Sequence, residues 1–236
     1  MKAVLFDLDG TLLPIDTLAF SNDYVQALSV YLKDIIPPRK TIEYVLQGTM
    51  HMIMTNAEPL TNKELFEQEM FRLTGIPWEK IDGYAQRFYD EGLDPLLEGI
   101  TPDPRAKRAV ELARAKSHIC VLATNPIFPE KPVNKRIHVA GLHPDDFDFI
   151  TTYENCCFAK PHLAYYNYIA EKVGVKPEDC LMIGNDAQDD LVARKLGMKV
   201  FWATDHAIDS QEGAWHEPLY DAKGSFDEII RFLENF

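Results

Sequence analysis

Apolar and polar positions follow two different rhythms along this chain. Ala3-Val4-Leu5-Phe6 is an unbroken apolar run that halts at Asp7-Leu8-Asp9-Gly10-Thr11. A short run of this kind, bounded by glycine and a β-branched residue, predicts a buried strand ending in a turn. From about Asp16 to Asp94 the spacing is helical instead. Val25, Leu28, Leu32 and Ile36 make one stripe, with Phe20, Tyr24, Ala27 and Tyr31 beside it. Ile42, Val45, Leu46, Thr49 and Ile53 carry the pattern past the Pro37-Pro38 break. Leu65, Phe66, Met70 and Leu73 form a third segment closed by Gly75. Ile81, Tyr84, Ala85, Phe88 and Tyr89 form a fourth. Four amphipathic helices of this size predict a small bundle, in which the methionines at 50, 52 and 54 are expected to pack.

From Pro102 onward the first rhythm returns and alternates with helices. Ala106, Ala109, Val110 and Ala113 mark a helix, and Ile119 to Ala123 a buried strand. Phe147 to Thr152 reads as a weaker strand, followed by a helix on Leu163, Tyr166, Ile169, Ala170 and Val173. Cys180 to Ile183 is a strand, Leu191 to Leu196 a helix stopped by Gly197, and Lys199 to Ala203 a last strand. Strands separated by helices predict an α/β fold with a doubly wound parallel sheet, here of five strands. The helical bundle is an insertion. Its junctions fall at Pro14-Ile15-Asp16 and at Glu98 to Pro102. Residues 1–15 and 99–236 are therefore expected to form the α/β domain, and residues 16–98 the helical one.

Charge narrows the partners. A formal net charge of −13 over 236 residues argues against nucleic acid or an anionic membrane as the main partner. No apolar run approaches the ~20 residues of a membrane span, and the first strand starts too early to leave room for a signal peptide, so a cytoplasmic location is expected. The four cysteines, Cys120, Cys156, Cys157 and Cys180, show no CxxC pair; those at 120 and 180 lie in apolar runs and read as buried thiols. Nothing fixes the oligomeric state, for which a monomer suffices.

Candidate chemistry gathers where strands end. Asp7 and Asp9 place two carboxylates at the carboxyl end of the first strand, where open α/β sheets bind their ligands. One can attack while the other handles protons, and both can hold a hard cation. The strand ending at Ala123 delivers Thr124-Asn125, a hydroxyl and amides suited to an oxyanion but also common turn chemistry. In Lys160-Pro161 the proline biases the lysine toward extended backbone, which can aim an ammonium at the strand tips, although a lone lysine is ordinarily solvated. Gly184-Asn185-Asp186-Ala187-Gln188-Asp189-Asp190 closes the fourth strand with clustered acids, which fit a cation site or helix caps. His143 with Asp145 and Asp146 reads as a turn or cap. His162 reads as a helix-start residue near the site, and Arg39 and Lys40 as a solvated face.

Taken in order, these four stations resemble the haloacid dehalogenase-like hydrolase superfamily, and the resemblance spans the whole chain, including a helical cap of the family's C1 type between the first and second motifs. It implies a Rossmann-like core and an Asp7 nucleophile that forms an aspartyl-phosphate. Asp9 would then be the acid and base, with its main-chain carbonyl on Mg²⁺. Thr124 and the Asn125 amide would hold phosphoryl oxygens, Lys160 would neutralise charge, and the acidic loop would complete the metal site. One departure stands out: the fourth motif usually runs Gly-Asp, but Gly184 is followed by Asn185 and then Asp186. A carboxylate binds Mg²⁺ better than an amide, so Asp186 is favoured as ligand over Asn185, with Asp190 as second ligand or water-holder. Within the superfamily, an acid at position 9 favours oxygen esters over carbon–halogen or carbon–phosphorus cleavage. The expectation is a Mg²⁺-dependent phosphatase for a small phosphorylated metabolite, the helical segment acting as its lid. A phosphomutase, or a non-catalytic binding protein on the same scaffold, is the alternative.

Overall fold

The computed structural model describes residues 2–55, 58–116, 118–209 and 219–236. Its centre is a parallel sheet with strand order β3-β2-β1-β4-β5-β6, comprising β1 (Ala3–Phe6), β2 (Ile119–Leu122), β3 (Phe149–Ile150), β4 (Cys180–Gly184), β5 (Lys199–Ala203) and β6 (Ala222–Gly224). The sheet thus has a sixth strand beyond the five expected. Three residues, Ala222-Lys223-Gly224, are too few and too polar to give a readable pattern, and they pair only at the edge of β5. β3 is likewise shorter than the run from Phe147 to Thr152.

Side-chain alternation assigns the sheet's two faces. Val4, Phe6, Leu122, Ile183 and Phe201 face one core, shared with α6 (Pro104–Ala115), α7 (Glu130–Val139) and α9 (Phe226–Leu233). Ala3, Leu5, Val121, Met182 and Val200 face the other, against α8 (Leu163–Lys172) and the 3₁₀ segment Leu191–Leu196. That last segment is tighter than the α-helix its pattern suggests. Apolar cover on both faces explains why these strands read as unbroken apolar runs rather than alternating ones.

The segment between β1 and β2 forms α1 (Thr17–Tyr31), α2 (Pro38–Thr55), α3 (Asn62–Thr74) and α4 (Trp78–Arg87); a π-helical turn (Phe88–Gly92) then leads into α5 (Asp94–Leu97). Asp16 caps α1 by accepting from the Ala19 N–H, so the helix starts at the expected junction. Phe20, Tyr24, Leu28, Ile81, Ala85 and Phe88 belong to the same apolar core as Val4 and Phe6, which joins the helices to the sheet. The methionines behave differently from expectation. Met52 is buried, but Met50 and Met54 are 54% and 69% exposed, because they sit on the outward side of α2. No helix among the described residues is long and apolar enough to cross a membrane.

Candidate active site

β1 lies between β2 and β4, so its carboxyl end is flanked by the two neighbouring strand tips. The Asp7 N–H donates to the Ile183 carbonyl at 2.9 Å and the Ala123 N–H to the Phe6 carbonyl at 2.7 Å, which fixes the three tips relative to one another. Asp7 is held from both sides. Lys160 Nζ donates to its Oδ1 at 2.8 Å, and Thr11 Oγ1 lies 3.2 Å from its Oδ2. Lys160 itself is only 2% exposed and donates also to Asp190 Oδ1 at 2.6 Å. It is therefore not solvated, as a lone lysine ordinarily is. Burial opposes its charge, but Asp190 and Asp7 outweigh that and hold its pKa well above the ordinary lysine value.

Two glycines make room for this packing. A Cβ on Gly184 would fall 2.2 Å from Asp190 Oδ2, and one on Gly10, where φ is +82°, would fall 2.3 Å from Asn185 Nδ2. Asn185 is fixed in orientation: its Nδ2 donates to the His206 carbonyl at 2.7 Å, which leaves Oδ1 facing Thr11 Oγ1 at 3.0 Å. Asp186, the residue favoured on charge, is differently occupied. Its Oδ1 accepts from the N–H groups of Gln188 and Asp189 at 2.8 and 2.9 Å, so it acts as a cap for the loop. Asp190 folds back on that loop through Oδ2, which accepts from the Asp186 N–H at 3.0 Å.

Thr124 and Asn125 arrive at the same edge. The Thr124 carbonyl accepts from Thr151 Oγ1 and the Tyr165 hydroxyl at 2.7 and 2.8 Å, which anchors the start of the loop. Asn125 Nδ2 donates to Asp189 Oδ2 at 3.2 Å, while its Oδ1 is buried without a partner. Acid outnumbers base here. Burial pushes the Asp189 carboxyl up to about 6, against the pull of Lys160, and raises that of Asp190 as well. The other residues weighed from sequence lie outside this cluster: His143 and Asp146 form a capping box on a surface turn, Lys40 pairs with Glu43, and His162 Nε2 contacts the Ile53 carbonyl of α2 at 2.9 Å.

One member of the site is nearly silent in the sequence. Arg136, on α7, is fully buried and its Nη1 pairs with Asp9 Oδ2. Its guanidinium lies 4.3 Å from the Phe128 ring centroid and 5.5 Å from that of Phe20. Arg136 Nη2 and Asp9 Oδ1 are both buried and unpartnered, so the pair is half-satisfied as it stands. Burial raises the Asp9 pKa, and Arg136 opposes that rise without cancelling it. The only hint in sequence is an arginine adjacent to Ile137 in the apolar spacing Val133, Ile137, Ala140, where a charged residue abuts a core stripe.

The oxygen donors are of the kind a hard divalent cation takes: the Asp7 carboxylate, the Asp9 main-chain carbonyl, Asn185 Oδ1 and the acids of the loop. Among the described residues no three acidic or histidine side chains form a ready cage. A cation here would draw on carbonyl and amide oxygens too. The Asp9 carbonyl meanwhile accepts from Thr17 Oγ1 at 3.0 Å, tying the start of α1 to the site.

A family model described as haloacid dehalogenase-like hydrolase matches residues 1–197 of the chain. A glyceraldehyde 3-phosphate phosphatase of Methanocaldococcus jannaschii is 26% identical over 219 residues, covering 84% of this chain and 82% of that one. Among solved structures, a predicted phosphoglycolate phosphatase from Haemophilus somnus 129PT superposes with a TM-score of 0.58 at 21% identity, covering 98% and 97% of the two chains. The L-2-haloacid dehalogenase of Xanthobacter autotrophicus does so at 0.56 and 17%, covering 100% and 99%. Two different bond cleavages share this fold, so side chains must decide between them.

Proposed function

The chain belongs to the haloacid dehalogenase-like hydrolase family, and we propose on that premise that it is a Mg²⁺-dependent phosphatase acting on a small phosphorylated metabolite. One observation carries the reading: a second carboxyl, Asp9, sits buried two residues beyond Asp7 with its pKa raised by burial. Expelling a halide needs no proton, whereas expelling an alkoxide is greatly eased by an acid beside it. The phosphatase names among its relatives agree with that chemistry.

In the proposed reaction an Asp7 oxygen attacks phosphorus, and the bond from phosphorus to the alcohol oxygen breaks. Asp9 gives that oxygen its proton. Asp9 is then a carboxylate stabilised by Arg136, and it takes a proton from the water that attacks the aspartyl-phosphate. Inorganic phosphate leaves, and both carboxyl groups regain their starting state. Lys160 offsets the charge shared by Asp7 and the phosphoryl oxygens, while the Thr124 hydroxyl and Asn125 amide hold those oxygens. Mg²⁺ would be held by Asp7, the Asp9 carbonyl, Asn185 and Asp190, with Asp186 bracing the loop, and would supply charge neutralisation at the transferring group. Residues 16–98 serve as a lid: Asn62 Nδ2 donates to the Pro126 carbonyl at 2.9 Å, and the Asn62 and Lys63 N–H groups donate to Cys156 and Tyr153, each at 2.8 Å.

The test is phosphate release by purified protein from a broad panel of phosphate monoesters, with Mg²⁺ and with chelator. Release that needs Mg²⁺ is expected. Metal-replete protein that hydrolyses no member of the panel would overturn the reading.

A further inference from the structure

Between the helical unit and the strand-tip loops lies a cavity of about 320 Å³. α1 to α4 supply most of its wall, and Ile127, Phe128, Pro129 and Tyr153 close it on the sheet side. No charged side chain lines it. Its polar lining residues, Ser21, Asn22, Tyr24, Thr49, Tyr89 and Tyr153, are all uncharged. Such a wall holds no cation to pair with a carboxylate, and burying a charge without a partner is strongly unfavourable. It suits carbon.

Two links join the cavity to the chemistry. The Ile127 N–H donates to the Asn125 carbonyl at 2.8 Å, so the cavity floor begins within one turn of the proposed phosphate-binding amide. Phe128 borders the cavity and also packs on the Arg136 guanidinium, which in turn pairs with Asp9. Asp9 is the group proposed to protonate the leaving oxygen. The alcohol therefore departs next to an apolar chamber. The chamber meets solvent at Leu18 and Leu46, which line it and are 70% and 53% exposed. Met50 and Met54 extend that apolar edge along α2 at helical spacing.

We propose that the substrate is the phosphate monoester of an uncharged, predominantly hydrocarbon alcohol, whose organic part fills this cavity while its phosphoryl group meets Asp7. The proposal rests on the phosphatase reading and narrows it. It sets this chain apart from relatives named for phosphoglycolate and glyceraldehyde 3-phosphate, whose organic parts are short and polar.

The experiment is kcat/KM with Mg²⁺ along ethyl, butyl, hexyl and octyl phosphate, with phosphoglycolate for comparison, and in parallel the affinity of the matching alkyl phosphonates by calorimetry. Both series are expected to rise by roughly threefold to fourfold per methylene until the cavity is full, mostly through KM, because carbon burial is felt by bound substrate and transition state alike. Leu46→Glu places a charge at the mouth of the cavity on an exposed position and is expected to flatten both series. Phe71→Glu, on an exposed part of α3 outside the cavity, should leave both series as they were. A flat series, or phosphoglycolate preferred over hexyl phosphate, would overturn the substrate class while leaving the phosphatase reading intact. Phosphonate affinity that climbs with chain length in a protein that hydrolyses no ester would instead overturn the phosphatase reading and keep the cavity as the ligand's site.

Discussion

The strand tips and the helical unit bury opposite chemistry a few ångströms apart. At the tips, Asp7, Asp9, Lys160, Asn185 and Asp190 are all nearly inaccessible, and charge is packed against charge. In the helical unit the buried residues are mostly apolar, with Ser29, Thr41, Asn62 and Glu69 the polar ones, and the cavity they enclose carries no charge. Buried ions persist only when partners are placed closely around them, so their positions are dictated residue by residue. A cavity needs only that its wall be apolar and its side chains not fill it, so many sequences make one. In the function proposed above, the first arrangement sets the reaction and the second sets what it acts on. Phe128, with the cavity on one side and Arg136 on the other, is where the two meet.

The comparison breaks first at Asp9. Asp9→Asn should lower turnover by roughly 10²–10⁴-fold through lost proton transfer, with part of that loss recovered on an aryl phosphate whose leaving oxygen needs no acid. Equal losses on alkyl and aryl phosphates would take Asp9 out of the acid role. Next comes Arg136→Met, which leaves Asp9 without its partner whenever it is a carboxylate; a stability loss of up to about 3–5 kcal/mol is expected for breaking one partner from such a pair, shrinking as pH falls and Asp9 takes up its proton. Combining it with Asp9→Asn should return much of that stability in a denaturant titration, since no charge is then left unpaired. Strict additivity of the two would mean that the pair is not coupled.

The acidic loop was only half legible. The resemblance of its motif to the family locates it, but ligand charge alone favours Asp186, and the structure turns that side chain onto the loop's own N–H groups while presenting Asn185 Oδ1 to Thr11 Oγ1, which also contacts Asp7. Asn185→Ala should therefore weaken Mg²⁺ binding at least ~10-fold, and more than Asp186→Ala does; the reverse order in a metal titration would restore the charge argument. The smallest effect concerns the proposed lid. Asn62→Ala removes both hydrogen bonds from Nδ2 to the Pro126 and Phe158 carbonyls, worth about 1 kcal/mol each. Faster amide exchange at the start of α3, with β1 and β4 unchanged, is expected. Unchanged exchange there would mean that Asn62 is no latch.

Legibility followed the same divide. β1, β2, β4 and β5 were readable because strands buried on both faces must be apolar throughout, and Asp7, Asp9 and Lys160 because each follows or faces such a strand tip. β6 was not, since edge pairing by Ala222 to Gly224 demands little of side chains. Arg136 escaped because nothing near it in sequence marks Asp9 as its partner, 127 residues away. The cavity escaped because an apolar stripe looks the same whether its neighbours fill the space or leave it empty. Met50 and Met54 carry the same lesson, apolar at helical spacing yet facing outward.

The most direct test of the central claim is where the phosphoryl group goes. Protein mixed with Mg²⁺ and a phosphate monoester, quenched in acid within one turnover and mapped by peptide mass spectrometry, should carry phosphate on Asp7 and on no other residue. Asp7→Asn should carry none and release no phosphate. Phosphate found on another side chain, or full turnover by Asp7→Asn, would contradict the account.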